Sequence, residues 1–277
     1  QEWGSYMFGW KSVLSKNKTG FLMFFIISVV LAGVIRWRGA GTGLGIGDSL
    51  LVCWYGSEPV VEFTLRSVLE IPGIWFFLHC YLYAAILFYP QHKLYQSDIV
   101  TIRMKSRRAW WKDIVLWLAG SECVYYGLFL LAVVLVNLDQ AGTGWRPHDA
   151  GLLPGFEEAF PGISSFGFEQ GYGIFWVRVL LMPVLIGITL GLFQLTLSLY
   201  IGFEWSILVS FSYFLVSLYK EDWWLIGNGT MLVRSELAGY PHQTLRIFLM
   251  CGGIILLSVW LGYWKLSRMD ILQRRRS

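Results

Sequence analysis

The stretch Asp98–Lys112 (DIVTIRMKSRRAWWK) gathers chemistry that a soluble partner could read. It carries Arg103, Lys105, Arg107, Arg108 and Lys112 against one acid, Asp98. Ile99, Ile102 and Met104 are interleaved with the charges, and Trp110-Trp111 supplies aromatics of the kind found at a membrane–water boundary. This interleaving fits a short helix lying along the membrane, with its cations free to dock an acidic groove. Anionic headgroups would satisfy the same charges, so both readings stay open.

A second candidate is Glu122, about eight residues into the apolar run that starts near Ile114. A carboxyl inside a membrane is costly and is by default a functional hypothesis. It could carry a proton, touch a substrate, or pair with a basic group or His79 to hold two helices together. Arg178 and Gln194 are the polar groups of a later apolar run. Arg178 reads as a snorkelling side chain and Gln194 as a hydrogen-bonding partner for a neighbouring helix. Glu122, His79 and Gln194 together form a candidate intramembrane polar site.

Other patterns exclude more than they suggest. Gly39–Gly47 (GAGTGLGIG) superficially resembles a nucleotide loop, but it ends in Asp48 and lacks the Gly-Lys-Ser/Thr that reaches phosphates. It reads as a flexible outer loop, and the chain has no recognisable ATP site. No GxSxG or HExxH occurs. Glu157-Glu158 resembles the start of a membrane-protease diglutamate motif but has no helical His or Arg partner after it. The four Cys show no CxxC spacing and the four His no HxxxH, so no disulfide framework, zinc site or catalytic centre is expected.

The elements that must position these groups are membrane helices. Hydrophobic residues make up 56% of the chain and charged residues 14%, against about 25% charged in soluble domains. Six spans are expected, at about 20–35, 71–89, 114–138, 173–200, 204–219 and 247–265. Pro183 is expected to kink the fourth. The fifth has a clean apolar part, Ser206–Tyr219, too short to cross unless it borrows residues from 200–205. Trp3, Met7, Trp10 and Leu14 mark an amphipathic interfacial helix over 3–18. Residues 36–70, 139–172 and 220–246 remain as loops, 49–70 being an ordered loop or a shallow helix. The chain begins with a Trp-rich segment, so no removable signal peptide is expected.

Charge placement sets the expected orientation. With six spans, one side holds 14 of the 22 Lys and Arg but five of the 18 acids. That predicts both termini and the inner segment 90–113 in the cytoplasm, with three unequal outer loops. No inverted three-plus-three repeat of the secondary-carrier kind is visible.

This layout resembles the ABC-2 type exporter permeases, including the group linked to peptide-antibiotic export and immunity. The resemblance covers the whole chain and rests on the interfacial helix with its Trp10-Lys11, six spans, the basic inner segment, and the outer segment before the last span. It implies an all-α multi-pass subunit of a bacterial cell membrane, without its own enzymatic site. A separate ABC ATPase dimer would bind ATP and Mg, and a second permease subunit, identical or related, would pair with this chain among membrane lipids. No nucleic acid is implied. By that analogy Asp98, Arg103, Lys105, Arg107 and Arg108 would meet the ATPase. The long outer loops depart from the simplest members. The rivals are a stand-alone carrier or channel working through Glu122, and a membrane scaffold that transports nothing.

Overall fold

The computed structural model describes residues 18–60, 73–79, 107–140, 144–148, 155–160, 163, 168 and 172–268, and all regular structure among them is helical. Seven helices carry the argument: α1 (Lys18–Arg38), α2 (Ile46–Trp54), α3 (73–79), α4 (Arg107–Val136), α5 (Tyr172–Ile201), α6 (Phe203–Tyr219) and α7 (Gln243–Arg268). Four of them, α1, α4, α5 and α7, are long and apolar enough to cross a membrane. The protein is therefore a helical membrane protein. The expected interfacial helix over 3–18 and most of the second span, 71–89, lie outside the described residues.

Each long helix divides its surface as a lipid-embedded helix must. On α1 the buried residues Phe21, Phe24, Ser28, Ala32 and Ile35 recur at steps of three and four. Leu22, Met23, Ile26 and Val30 project from the opposite face, which is the side for acyl chains. The buried face packs on α4, where Phe21 and Phe24 enclose the Tyr125 ring at centroid distances of 4.7 and 5.0 Å. Helix α5 stands at the centre and touches α4, α6 and α7. Some 61% of its apolar window is buried, against 22% for α7.

Pro183 shapes α5 in a specific way. It lacks the N–H that would continue the ladder, and the preceding residues Val177–Leu181 form a π-helical turn, with Met182 N–H donating to Val177 O. The helix continues through this defect to Ile201.

Three expectations change. The glycine run does not stay a flexible loop: it turns over residues 39–43, and α2 begins inside it at Ile46. All nine residues of α2 are buried, so it is a packed element rather than a shallow surface helix. The third span begins earlier than expected, because Arg107–Trp111 belong to α4 itself. Trp110 and Trp111 are buried instead of marking the interface. The fifth span does borrow upstream residues, starting at Phe203, yet its 17 residues reach only about 25 Å.

Trp111 locks α4 to α7. Its indole occupies the space a Cβ on Gly262 would fill, and its Nε1–H donates to Val259 O at 3.1 Å. Replacing Gly262 with Ala should therefore cost about 1–3 kcal/mol by overpacking. Gly252→Ala on the same helix meets nothing within 4 Å and should be neutral or slightly stabilising. Equilibrium unfolding of the two variants in mixed micelles gives the comparison.

Candidate functional site

Three connecting segments meet at the end of the bundle where α1, α4 and α6 finish and α5 and α7 begin. They are residues 39–60, 144–148 and 220–242. Three buried charged groups hold this cap together.

Asp48 is the first. It is 1% exposed and accepts from the Gly45 backbone N–H at Oδ2, 2.8 Å, and from the His148 backbone N–H at Oδ1, 2.6 Å, while His148 Nδ1 lies 2.9 Å from Oδ2. The two segments touch through backbone: a Cβ on Gly47 would strike Pro147 N and Arg146 C. Glycine is needed there for close approach, not for flexibility.

Arg234 is the second and is fully buried. It donates to the carbonyls of Ser217, Leu218 and Lys220 at 2.5, 2.7 and 3.1 Å, to Ser57 O at 2.9 Å and to Asn228 Oδ1 at 2.6 Å. Three of these acceptors are the orphan carbonyls at the end of α6, so the guanidinium caps that helix and favours its negative dipole end. Burial pulls Arg234 down to about 10, against the raising influence of Glu221 and Tyr240. It stays protonated at neutral pH.

The third group is an ion pair. Arg178, 1% exposed, donates to Glu236 Oε2 at 3.1 Å, Thr244 Oγ1 at 2.8 Å and Gly229 O at 3.2 Å. Glu236 in turn accepts from Thr244 N at 2.5 Å and from Thr244 Oγ1 at 2.6 Å. This places a carboxylate at the positive N-terminus of α7. Burial works against ionisation of Glu236, but the Thr244 hydroxyl and amide, and then Arg178, outweigh it and hold the carboxyl below its usual 4.5. Arg178 is therefore no snorkelling side chain.

Between these anchors the chain from Leu225 to Ser235 is buried throughout. It runs in short 3-10 turns, Ile226–Thr230 and Leu232–Arg234. A Cβ on Gly229 would strike Ile186 of α5 and Ile247 of α7, and one on Gly227 would strike Ser217 of α6. Trp75 of α3 ties in from another side, its indole N–H 3.1 Å from Thr230 Oγ1. Irregular backbone among apolar helices is tolerated only when enclosed by protein or water, and here protein encloses it. Beside it opens a shallow groove of about 490 Å³, with Ile174, Pro241, Leu245 and Phe248 as apolar walls and Glu236, His242 and Thr244 as polar lining. Its character suits the apolar part of an amphipathic molecule.

The polar residues expected inside the membrane divide into two places. Glu122 lies in the seam between α4 and α5, where its carboxyl rests on Gly187 and Leu118 rests on Gly191. Gln194, fully buried, follows on the same face of α5, and Ser121 precedes Glu122. Among the described residues, Glu122 Oε2, Ser121 Oγ and both polar atoms of the Gln194 side chain have no hydrogen-bond partner. The expected bond from Gln194 to a neighbouring helix is thus missing. His79 sits elsewhere, its Nδ1 2.8 Å from Trp75 O and its ring packed against Trp75, Trp54 and Phe214. No hydrogen bond joins His79 to Glu122. The pair Gly187/Gly191 is a GxxxG spacing whose bare backbone admits close helix contact. That signal stood in the sequence and is the residue set the polar reading overlooked.

At the other end of the bundle, Asp98, Arg103 and Lys105 lie outside the described residues. Arg107 opens α4. The Arg108 guanidinium lies 5.0 Å over the Tyr263 ring of α7, and Lys265 of α7 lies 4.9 Å over Tyr200 of α5. Comparison with protein-family models, curated proteins and solved structures finds no match.

Two tests follow from the cap. Arg234→Met removes the donors to five acceptors and should destabilise by ~3 kcal/mol or more, and Arg234→Lys should recover little, because a single ammonium cannot reproduce the fork. Glu236 has a depressed folded-state pKa, so the stability it contributes is complete above its ordinary value of 4.5 and is lost as pH falls through the lower folded value. Melting curves across that acid range should show a slope that Glu236→Gln abolishes.

Proposed function

We propose that this chain is the membrane-spanning permease subunit of an ABC-2 type exporter. It moves an amphipathic peptide, lipid or drug-like molecule with energy from a separate ATPase dimer, which binds ATP and Mg. A second permease subunit, identical or related, completes the pathway in the cell membrane. In this reading the chain crosses six times with both termini and residues 90–113 inside, and the cap faces outward.

The observation that carries the reading is mechanical. The described end of the basic segment is continuous with α4, and Trp111 and Arg108 clamp that end onto α7. A push on Asp98, Arg103, Lys105, Arg107 and Arg108 by a soluble motor would therefore reach two long helices at once. The same push would reach α5 across the Glu122–Gly187 contact and, through Arg178, the opposite end of the bundle. The groove beside Glu236 suits an amphipathic substrate leaving toward the lipid or the outside.

The deciding experiment is ATP-driven transport in inverted vesicles, with the chain co-expressed with an ATPase subunit encoded beside it. Arg103→Glu, Arg107→Glu and Arg108→Glu together should release the ATPase in pull-down and reduce transport at least tenfold. Intact transport in that triple variant, or a chain that never recruits an ATPase, sinks the proposal.

The buried carboxyl of Glu122 favours one rival, a carrier coupled to protons. Glu122→Gln separates them: it should abolish uptake driven by a pH gradient in a carrier, and it should leave recruitment of an ATPase intact in an exporter.

A further inference from the structure

Among the described residues, the buried charged groups of the cap have several hydrogen-bond partners each, but Glu122 in the α4–α5 seam does not. Glu122 is 3% exposed. Its carboxyl lies directly on the α5 backbone: a Cβ on Gly187 would fall 2.5 Å from Oε2 and 2.9 Å from Oε1. Oε2 has no partner among the described residues.

Among the described residues a counter-ion is missing as well. On α4 itself, Cys123 points outward, Tyr126 lies one turn further on, and Asp113 lies nine residues before. On α5 the charged group is Arg178, spent on Glu236, Thr244 and Gly229, and nine residues from Gly187, about 13 Å along the helix. On α1, Lys18 and Arg38 sit at the ends, and Arg36 is held by Asp139 and Val136 O. On α2, Asp48 is engaged with Gly45 and His148, and Cys53 is buried. On α7, Arg246, Lys265 and Arg268 lie toward the helix ends, and Cys251 and Tyr263 supply no cation. None forms an ion pair or hydrogen bond with Glu122.

An ionised carboxylate buried without a cation among the described residues is costly, and taking up a proton relieves that cost. We propose that Glu122 is a proton-binding site: it holds a proton while α4 and α5 are in contact and releases it when the seam parts. Release breaks the carboxyl O–H bond, leaves the electron pair on the carboxylate oxygen, and passes the proton to entering water. Gln194, two turns further along α5 on the face that carries Gly187 and Gly191 and buried without a partner among the described residues, becomes a hydrogen-bonding wall for that water. Gly187 and Gly191 let the joint close dry. The inference goes beyond the exporter reading and does not depend on it.

Infrared spectroscopy of the full-length chain in lipid nanodiscs tests this directly. Near pH 7 a free glutamate is ionised, so the expected result is a protonated-carboxyl C=O band in the wild type, slow to exchange in D2O and absent in Glu122→Gln. No such band, or a band that Glu122→Gln leaves unchanged, overturns the proposal. Should that variant fail to accumulate, Glu122→Asp withdraws the carboxyl from Gly187 and should shift the band. An unshifted band overturns it equally. Gly187→Leu wedges the seam, and its band should titrate with bulk pH and exchange rapidly. A band as inert as the wild type's rules out release by opening of the seam.

Discussion

A 17-residue helix reaches about 25 Å, less than the ~30 Å hydrocarbon core it would have to cross. Ser217 and Leu218 in the last turn of α6 are buried, so something other than water must satisfy the carbonyls there. Arg234 does so with one side chain, bonding Ser217, Leu218 and Lys220 while reaching Ser57 and Asn228. The rest of the cap depends on this. Because the carbonyls of α6 are satisfied from within, the chain can fold back as 3-10 turns between α5, α6 and α7, where Gly227 and Gly229 let backbone lie against side chains. A buried arginine is expensive on its own. Here five acceptors surround it, so the cost is offset by bonds the helix end needs in any case.

The cap and the basic end are connected through α4 and α5. Arg36 at the end of α1 bonds Val136 O and Asp139 just past α4, and Asp48 with His148 ties the following segments to each other. At the opposite end, Trp111 and Arg108 fix α4 to α7, and Lys265 of α7 lies over Tyr200 of α5. Helices fastened at both ends move by tilting or sliding as units, because packed side chains have few intermediate arrangements. A displacement at one end thus has a physical route to the other.

Much of the helical architecture was legible in the sequence, because long apolar runs with few charges admit little else. The helices α1, α5 and α7 fall close to the runs that announce them, and α6 starts within the residues it was expected to borrow. What the runs could not reveal was packing. Residues 39–48 have the composition of a loop, and α2 exists there because Gly45 and Gly47 are pressed against the backbone of 144–147 and Asp48 is capped by a distant His. Arg178 sits where a snorkelling side chain would, and only the fold brings Glu236, 58 residues away, to meet it. Trp111 has the type of an interfacial residue, and Gly262, on another helix, turns it into a wedge. The polar site was half legible. Glu122 and Gln194 do share a seam, whereas His79 belongs to an aromatic cluster around Trp75, since spacing along separate spans carries no information about register.

The distribution of satisfied and unsatisfied polar groups divides the protein by mechanical role. In the cap, Asp48, Arg178, Arg234 and Glu236 all have multiple partners, and separating those segments would strand several charges at once. That makes the cap a rigid unit. In the α4–α5 seam Glu122 Oε2 and both polar atoms of the Gln194 side chain make no hydrogen bonds among the described residues. Water admitted to the seam would satisfy them, so their desolvation is relieved on opening, and the dispersion contacts of Leu118 and Glu122 with Gly191 and Gly187 oppose it. A joint whose closed form rests on packing and whose open form gains hydrogen bonds lies nearer to balance than one held by saturated charges.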